Sequence, residues 1–229
     1  GAGELKSPRE TAVSNGFVVV ADNADVDGDA TTLDGRLYIY SRDGDNLSLR
    51  NTIITDFKLW GITFIGDDLY AVVDADNELA VFTNFLSNST DVTLSASKRV
   101  EVAGIVRTHG LAYDNASNTM VMTDIGDAGN TTDDGGFHII KNFSDVFANT
   151  ANGGMITLLQ QVRVAGSNTM MGNPVDVAYD GANDVVYIAE IGNGGGKLLS
   201  FKGTNTLGGN VSPTSSIDIS KASCVYLNK

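Results

Sequence analysis

An all-β fold made of four similar units is what this sequence predicts, and three observations predict it. The first is a repeat. Val13-Ser14-Asn15-Gly16-Phe17-Val18-Val19-Val20-Ala21-Asp22 is echoed by Phe64-Ile65-Gly66-Asp67-Asp68-Leu69-Tyr70-Ala71-Val72-Val73-Asp74. Ala112-Tyr113-Asp114 leading to Met120-Val121-Met122-Thr123-Asp124, and Ala178-Tyr179-Asp180 leading to Val186-Tyr187-Ile188-Ala189-Glu190, repeat it twice more. Each copy is an apolar run, a polar turn, a β-rich run and an acid, and the acids at 22, 74, 124 and 190 are 52, 50 and 66 residues apart. That spacing holds four short strands, the content of one β-propeller blade. The second observation is turn chemistry: 26 Gly, only 3 Pro and abundant Asn, Asp, Ser and Thr suit hairpins. The third is that no long segment carries an apolar stripe of period 3.6, with at most a helical turn near Asp145 to Ala151. The predicted architecture is therefore a β-propeller with four antiparallel strands per blade.

The strands follow from β-branched or aromatic runs bounded by turn residues. The first blade (residues 8–56) takes runs at 10–14, 17–21, 36–41 and 47–54, and the second (57–105) takes 61–65, 69–73, 79–83 and 99–103. The third (106–166) takes 110–113, 120–123, 137–141 and 155–164, and the fourth (167–220) takes 175–179, 185–189, 197–201 and 216–219. Residues 221–229, with Ala222-Ser223-Cys224-Val225-Tyr226-Leu227, read as one more inner strand, the start of a partial fifth blade. It would either close the ring against the first blade or join another chain, because an unpaired edge invites association. With 229 residues and one continuous repeat, a single domain is expected.

A net charge of −13 and a pI near 4.3 exclude a basic stripe for nucleic acid and disfavour an anionic membrane surface. No stretch is long and apolar enough to insert in a membrane as a helix. Cys224 is the only cysteine and excludes an intrachain disulfide. Six Asn-x-Ser/Thr sites, and a start at Gly1-Ala2-Gly3 with any leader already removed, suggest an extracellular or cell-surface protein.

The sharpest local motif runs from Asn23 to Asp34. Asn23, Asp25, Asp27 and Asp29 alternate, Gly28 stands sixth and Asp34 twelfth, the logic of a loop that wraps hard oxygens around Ca2+. Asn at the first position and Asp at the twelfth depart from that pattern, and no helices flank it. Asp124, Asp127 and Asp134 form a weaker second candidate. The four repeat acids could ring a cation, or could instead accept backbone N–H bonds from the following turn. His109 enters the innermost strand of the third blade and Asp176 that of the fourth. With Trp60 and Arg107 they are expected to line one axial mouth, where an imidazole beside carboxylates could act as a general base. His138, within a strand, is a weaker candidate still. No Gly-x-Ser-x-Gly is present, and Gly192-Asn193-Gly194-Gly195-Gly196 lacks the Lys-Ser/Thr of a phosphate loop.

Asn173-Pro174-Val175-Asp176-Val177-Ala178-Tyr179-Asp180, then Val185 to Glu190 and Gly192-Asn193, resembles the NHL-type propeller repeat, as does Asp68 to Phe82. NHL domains usually have six blades, so the resemblance concerns the repeat rather than the count. It implies a rigid binding or structural module, with protein partners or self-association through terminal strands. Related propellers of the gluconolactonase and paraoxonase kind imply the alternative, a metal-dependent lactonase-like hydrolase with an axial calcium. Their ligand set has no residue-by-residue match here.

Overall fold

A computed structural model describes residues 4–29 and 31–228; Ala30, inside the acidic loop, and the residues at either end lie outside it. By internal contacts the chain divides into two compact units, residues 1–74 with 79–99, and residues 75–78 with 100–229. In the first unit β1 (Pro8–Ser14), β2 (Phe17–Asp22), β3 (Gly35–Asp43) and β4 (Asn46–Thr55) form an antiparallel meander. A second meander begins with β5 (Leu59–Ile65), β6 (Asp68–Val73) and β7 (Glu78–Phe82), and after the short β8 (Val92–Leu94) the chain enters the second unit along β9 (Lys98–Val102). The second unit holds β10 (Leu111–Asp114), β11 (Thr119–Asp124), β12 (Gly136–Lys141), α1 (Phe143–Asn149), β13 (Met155–Ile156) and β14 (Val162–Ala165). Its last sheet is β15 (Pro174–Asp180), β16 (Val185–Glu190), β17 (Lys197–Lys202) and β18 (Ser215–Asp218), in that order.

Fifteen of the sixteen expected strands lie where their runs place them, within a residue or two at each end. The exception is 155–164. Thr157 and Gln160 make a reciprocal cap that turns the chain into one 3-10 turn at Leu158–Gln160, so the run splits into β13 and β14. β13 leaves its own sheet and pairs in parallel with β9. Apolar content alone could not reveal this, because both halves have the composition of a strand. The segment at 221–228, expected as a further inner strand, is not a strand among the described residues. Lys221 N–H instead donates to Gly195 C=O and Val225 N–H to Asp176 Oδ2, which peels the tail away from any ladder.

Each unit has its own apolar core between two sheets. In the first, Phe57, Phe82 and Phe85 are buried, with ring centroids 5.9 Å apart for both Phe57–Phe82 and Phe82–Phe85. In the second, Phe137 and Phe201 meet at 5.0 Å over Val121, Val177 and Ile188. Burying each such ring contributes about 1.5–3 kcal/mol. The two sheets of the second unit approach so closely at Gly110 that a Cβ there would stand 2.7 Å from Asp176 Cα and 3.0 Å from Val177 N. Gly110→Ala is therefore expected to destabilise by about 1–3 kcal/mol through overpacking. Chemical denaturation would measure it, and a change below about 0.5 kcal/mol would show that the sheets can separate at little cost.

Candidate functional site

The repeat acids sit where a strand leaves the sheet and accept backbone N–H groups, Asp22 through both carboxylate oxygens and Asp124 and Glu190 through one. Among the described residues, Asp124 Oδ2 and Glu190 Oε2 are buried and without a hydrogen-bond partner. Asp22 accepts Lys6 N–H at 2.7 Å on Oδ2, and Ser7 N–H at 3.0 Å and Ala24 N–H at 2.9 Å on Oδ1. Asp124 Oδ1 accepts Val106, Arg107 and Gly126 N–H at 3.0–3.1 Å. Glu190 Oε1 accepts Asn173, Gly192 and Asn193 N–H at 2.6–2.9 Å. In each case one carboxylate ties the segment entering the inner strand to the turn leaving the second strand. All three side chains are fully buried. Burial pushes the Glu190 carboxyl above its ordinary value, against the pull of the N–H bonds it accepts.

Asp74 is not the fourth member of this set. β1 and β15 pair Pro8 with Asp22 and Pro174 with Glu190, whereas β5 pairs Leu59 with Val73. The backbone agrees: Asn23, Ile125 and Ile191 donate to Ser7, Arg107 and Asn173 C=O, and the matching donor to Lys58 C=O is Asp74 itself. The second copy thus places a buried Val at the acid position, and Asp74 stands one residue late, where it accepts Asn23 Nδ2–H at 2.8 Å.

In the acidic loop, Asp25, Asp27 and Asp34 converge, with one carboxylate oxygen of each within 4.8 Å of the others. They are the third, fifth and twelfth positions of the motif. Asp34 Oδ1 accepts Val26 N–H at 2.8 Å and Asp25 Oδ1 accepts Gly28 N–H, so one oxygen of each binds the loop backbone. Gly28 has φ +85°, a conformation that favours glycine and folds the chain back over the carboxylates. Asn23 is turned toward Asp74, and Asp29 folds back to accept Thr31 N–H and hydroxyl, which holds its carboxyl below the usual range. Among the described residues no other such acid group exists. Asp124, Asp127 and Asp134 are not drawn together: Asp134 Oδ2 accepts Asp127 N–H, Asp127 Oδ1 accepts Gly129 N–H, and Asp124 belongs to the strand exit.

His109 and Asp176 are both buried, and Gly110 beside the first rests against the backbone of the second. Asp176 Oδ1 accepts Val177 N–H and Oδ2 accepts Val225 N–H, each at 2.8 Å. Ala222 and Val225 of the tail pack on Ile125, Val175, Ala189 and Ile191, which line the strand-exit end of the second unit. The end expected to form an open mouth is, in this unit, covered by the chain's own tail. In the first unit Trp60 is half-buried beneath the Arg9 guanidinium, 4.1 Å from the ring centre.

His138 and one polar cleft stand apart from the strand-exit acids. His138 is fully buried on β12, its Nδ1 2.6 Å from Gln161 Oε1, opposite Arg163 on β14. Only its place in an apolar strand, between Phe137 and Ile139, hinted at burial. The other is a cleft of about 290 Å³ at the far ends of β11 and β12, lined by Lys141, Tyr179, Asp184, Thr204 and Asn205. Its polar groups bond to one another, with Tyr179 and Thr204 hydroxyls both donating to Asp184 Oδ1.

No protein-family model and no curated protein sequence matches the chain. Solved structures do. A chain of a nidogen/laminin complex matches over 86% of this chain and 65% of its own length, with 12% identity and a TM-score of 0.53. Candidate 6-phosphogluconolactonases from Bacteroides uniformis and Bacteroides fragilis match over 95% and 96% of this chain, with 14% and 15% identity and TM-scores of 0.56 and 0.57. The fold is a β-propeller.

At such identities the likeness shows architecture alone. It covers the repeat that resembles the NHL type, at the level of the propeller rather than of that family. The propeller chain spans 58–65% of the length of these neighbours.

Proposed function

We propose that this propeller is a non-catalytic binding module of extracellular or cell-surface material, stabilised by Ca2+ in the loop at 23–34. The observation that carries the reading is how the acids and the tail are used in the second unit. Asp124, Glu190 and Asp176 accept backbone N–H groups, and Ala222 and Val225 pack over Ile125, Val175, Ala189 and Ile191 at the strand-exit end of that unit. A hydrolytic centre needs carboxylates or an imidazole facing a reacting atom. Carboxylates committed to backbone donors make the propeller rigid, and rigidity reduces the entropy lost when a partner binds. The neighbour from a nidogen/laminin complex is consistent with such a role.

Calcium takes six to eight hard oxygens, and Asp25, Asp27 and Asp34 supply a converging start, with backbone carbonyls and water left to complete it. Three carboxylates this close repel one another without a cation, so an ion would stabilise the loop and the β2–β3 hairpin that carries it. Thermal melting with calcium and with chelator tests this. At about 100-fold over Kd the ion should add about 2.7 kcal/mol, and Asp34→Asn should remove most of that gain. No calcium-dependent shift at millimolar ion would end the calcium proposal. Calcium-dependent turnover of lactones, lost in His109→Ala, would overturn the non-catalytic reading in favour of the hydrolase.

A further inference from the structure

The two sheets of the second unit turn the same corner with different side chains. The residue before β11 is Asn118 and the residue before β16 is Asp184. Both are left-handed, with φ +49° and +55°. Each carbonyl accepts one N–H from the segment after the third strand, Phe143 onto Asn118 and Gly203 onto Asp184, both at 2.9 Å. Each Oδ1 accepts a tyrosine hydroxyl from the preceding strand and a second hydroxyl from that same segment. These are Tyr113 and Ser144 on Asn118, and Tyr179 and Thr204 on Asp184. A neutral amide therefore does what the corner requires, and the negative charge of Asp184 exceeds it. Both hydroxyls fall on Oδ1, so among the described residues Oδ2 has no side-chain donor. Against the opposing effect of burial, the Thr204 and Tyr179 hydrogen bonds and the Lys141 charge hold this carboxyl below its ordinary value, so it is ionised at neutral pH.

Asp184 lines the polar cleft of the second unit, and at Ser117 and Gly181 that cleft meets a second depression of about 340 Å³ walled by Ala116 and Ala182. The two turns are locked together there. A Cβ on Gly181 would stand 2.2 Å from Asp114 Oδ2, which also accepts the Ser117 N–H and hydroxyl. Donors stand beside the open acceptor: Lys141 Nζ gives one N–H to Asn205 Oδ1 and keeps two, and Asn205 Nδ2 keeps its own. We propose that this furrow binds a neutral sugar ring. The proposal rests on the binding-module reading and gives it a ligand. A sugar hydroxyl donates and accepts at once, so a neighbouring pair can donate to Asp184 Oδ2 and accept from Lys141 and Asn205. The exposed Ala116 and Ala182 methyls offer the C–H face of the ring an apolar rest. Asp184, the buried Asp114 and a net charge of −13 repel an anionic ligand. A free amino acid could pair its charges with Asp184 and Lys141, but it would leave the alanine depression unfilled.

Methyl glucoside, methyl galactoside and methyl mannoside are the probes, titrated into the full chain and followed by amide NMR. At least one should give saturable shifts confined to the turns at Ser117, Gly181, Asp184 and Asn205, with a Kd on the order of millimolar. Tighter binding of the matching trisaccharide would assign the site to a glycan chain, and equal binding to a single ring. Asp184→Asn reproduces the corner built on Asn118, so it should keep the melting temperature while weakening binding about tenfold. Lys141→Met should weaken it by a similar factor. A clear drop in melting temperature for Asp184→Asn would overturn the proposal, because the charge would then be structural. No saturable shift, or shifts mapping elsewhere, would overturn the site. Tighter binding of glucuronate or of glycine than of every neutral glycoside would overturn the ligand class. Each of these failures leaves the binding-module reading in place, because that reading falls only to calcium-dependent catalysis.

Discussion

Asp124→Ala is expected to cost the second unit about 3–5 kcal/mol, the largest effect of any single polar substitution in the chain. Its Oδ1 is the shared acceptor for Val106, Arg107 and Gly126 N–H, and its other oxygen lies 3.9 Å from the Arg163 guanidinium. Truncation leaves three backbone donors near a strand exit with no partner, and each buried unsatisfied group costs about 1–3 kcal/mol before water relieves part of it. The loss should be local as well as large, since those donors hold the 106–107 segment to the 126 turn. Asp124→Asn keeps an acceptor at the same place and should cost about half as much. Urea unfolding would give the magnitude, and hydrogen exchange at Val106, Arg107 and Gly126 would show whether those amides open first. Equal effects from both substitutions, or unchanged exchange, would show that the carboxylate is not what ties the two segments.

That tie also explains what the sequence could and could not reveal. The blades were legible because each apolar run alternates with turn residues at a nearly fixed spacing, which only a repeated hairpin unit satisfies. Asp22, Asp124 and Glu190 were legible as a set because a buried acid ending a strand has few roles other than capping. Asp74 looked like their equal because sequence spacing has a resolution of about one residue, while the ladder is exact in register: a slip of one turns an accepting carboxylate into Val73. The short parallel pairings were invisible for a different reason. A segment of one to three residues, such as Gly209 bridged to Val164 or Met155-Ile156 beside β9, carries no periodicity, and its place is set by a neighbouring edge distant in sequence. The covering tail was misread on the same ground, because Val225-Tyr226-Leu227 has the composition of a strand and only its bond to Asp176 removes it from one. In the acidic loop the alternation of Asp25 and Asp27 foretold their convergence with Asp34, but not that Asn23 would turn to Asp74.

The second large effect is a loss of stability on mild acidification, centred on His138. Burial holds its imidazole down, from 6.5 to about 4, against the raising influence of Gln161 and Asp124 and with a further lowering by Arg163. In the unfolded chain the ring protonates near pH 6.5, so between that pH and about 4 the unfolded state binds the extra proton and the folded state does not. The stability conferred by a neutral His138 is therefore complete above pH 6.5 and falls as the pH drops, by about 3 kcal/mol across the window. Glu190 and Glu10 act in the opposite sense, because burial raises their carboxyls and the folded state takes up their protons first as the pH falls through their folded values. The comparison must isolate the imidazole for that reason. His138→Gln keeps a polar partner for Gln161 and removes the titration. Its unfolding free energy, measured from pH 7.5 to 4, should fall about 3 kcal/mol less than that of the parent. Parallel curves for the two proteins would show that the buried ring is not the group whose protonation opens the second unit.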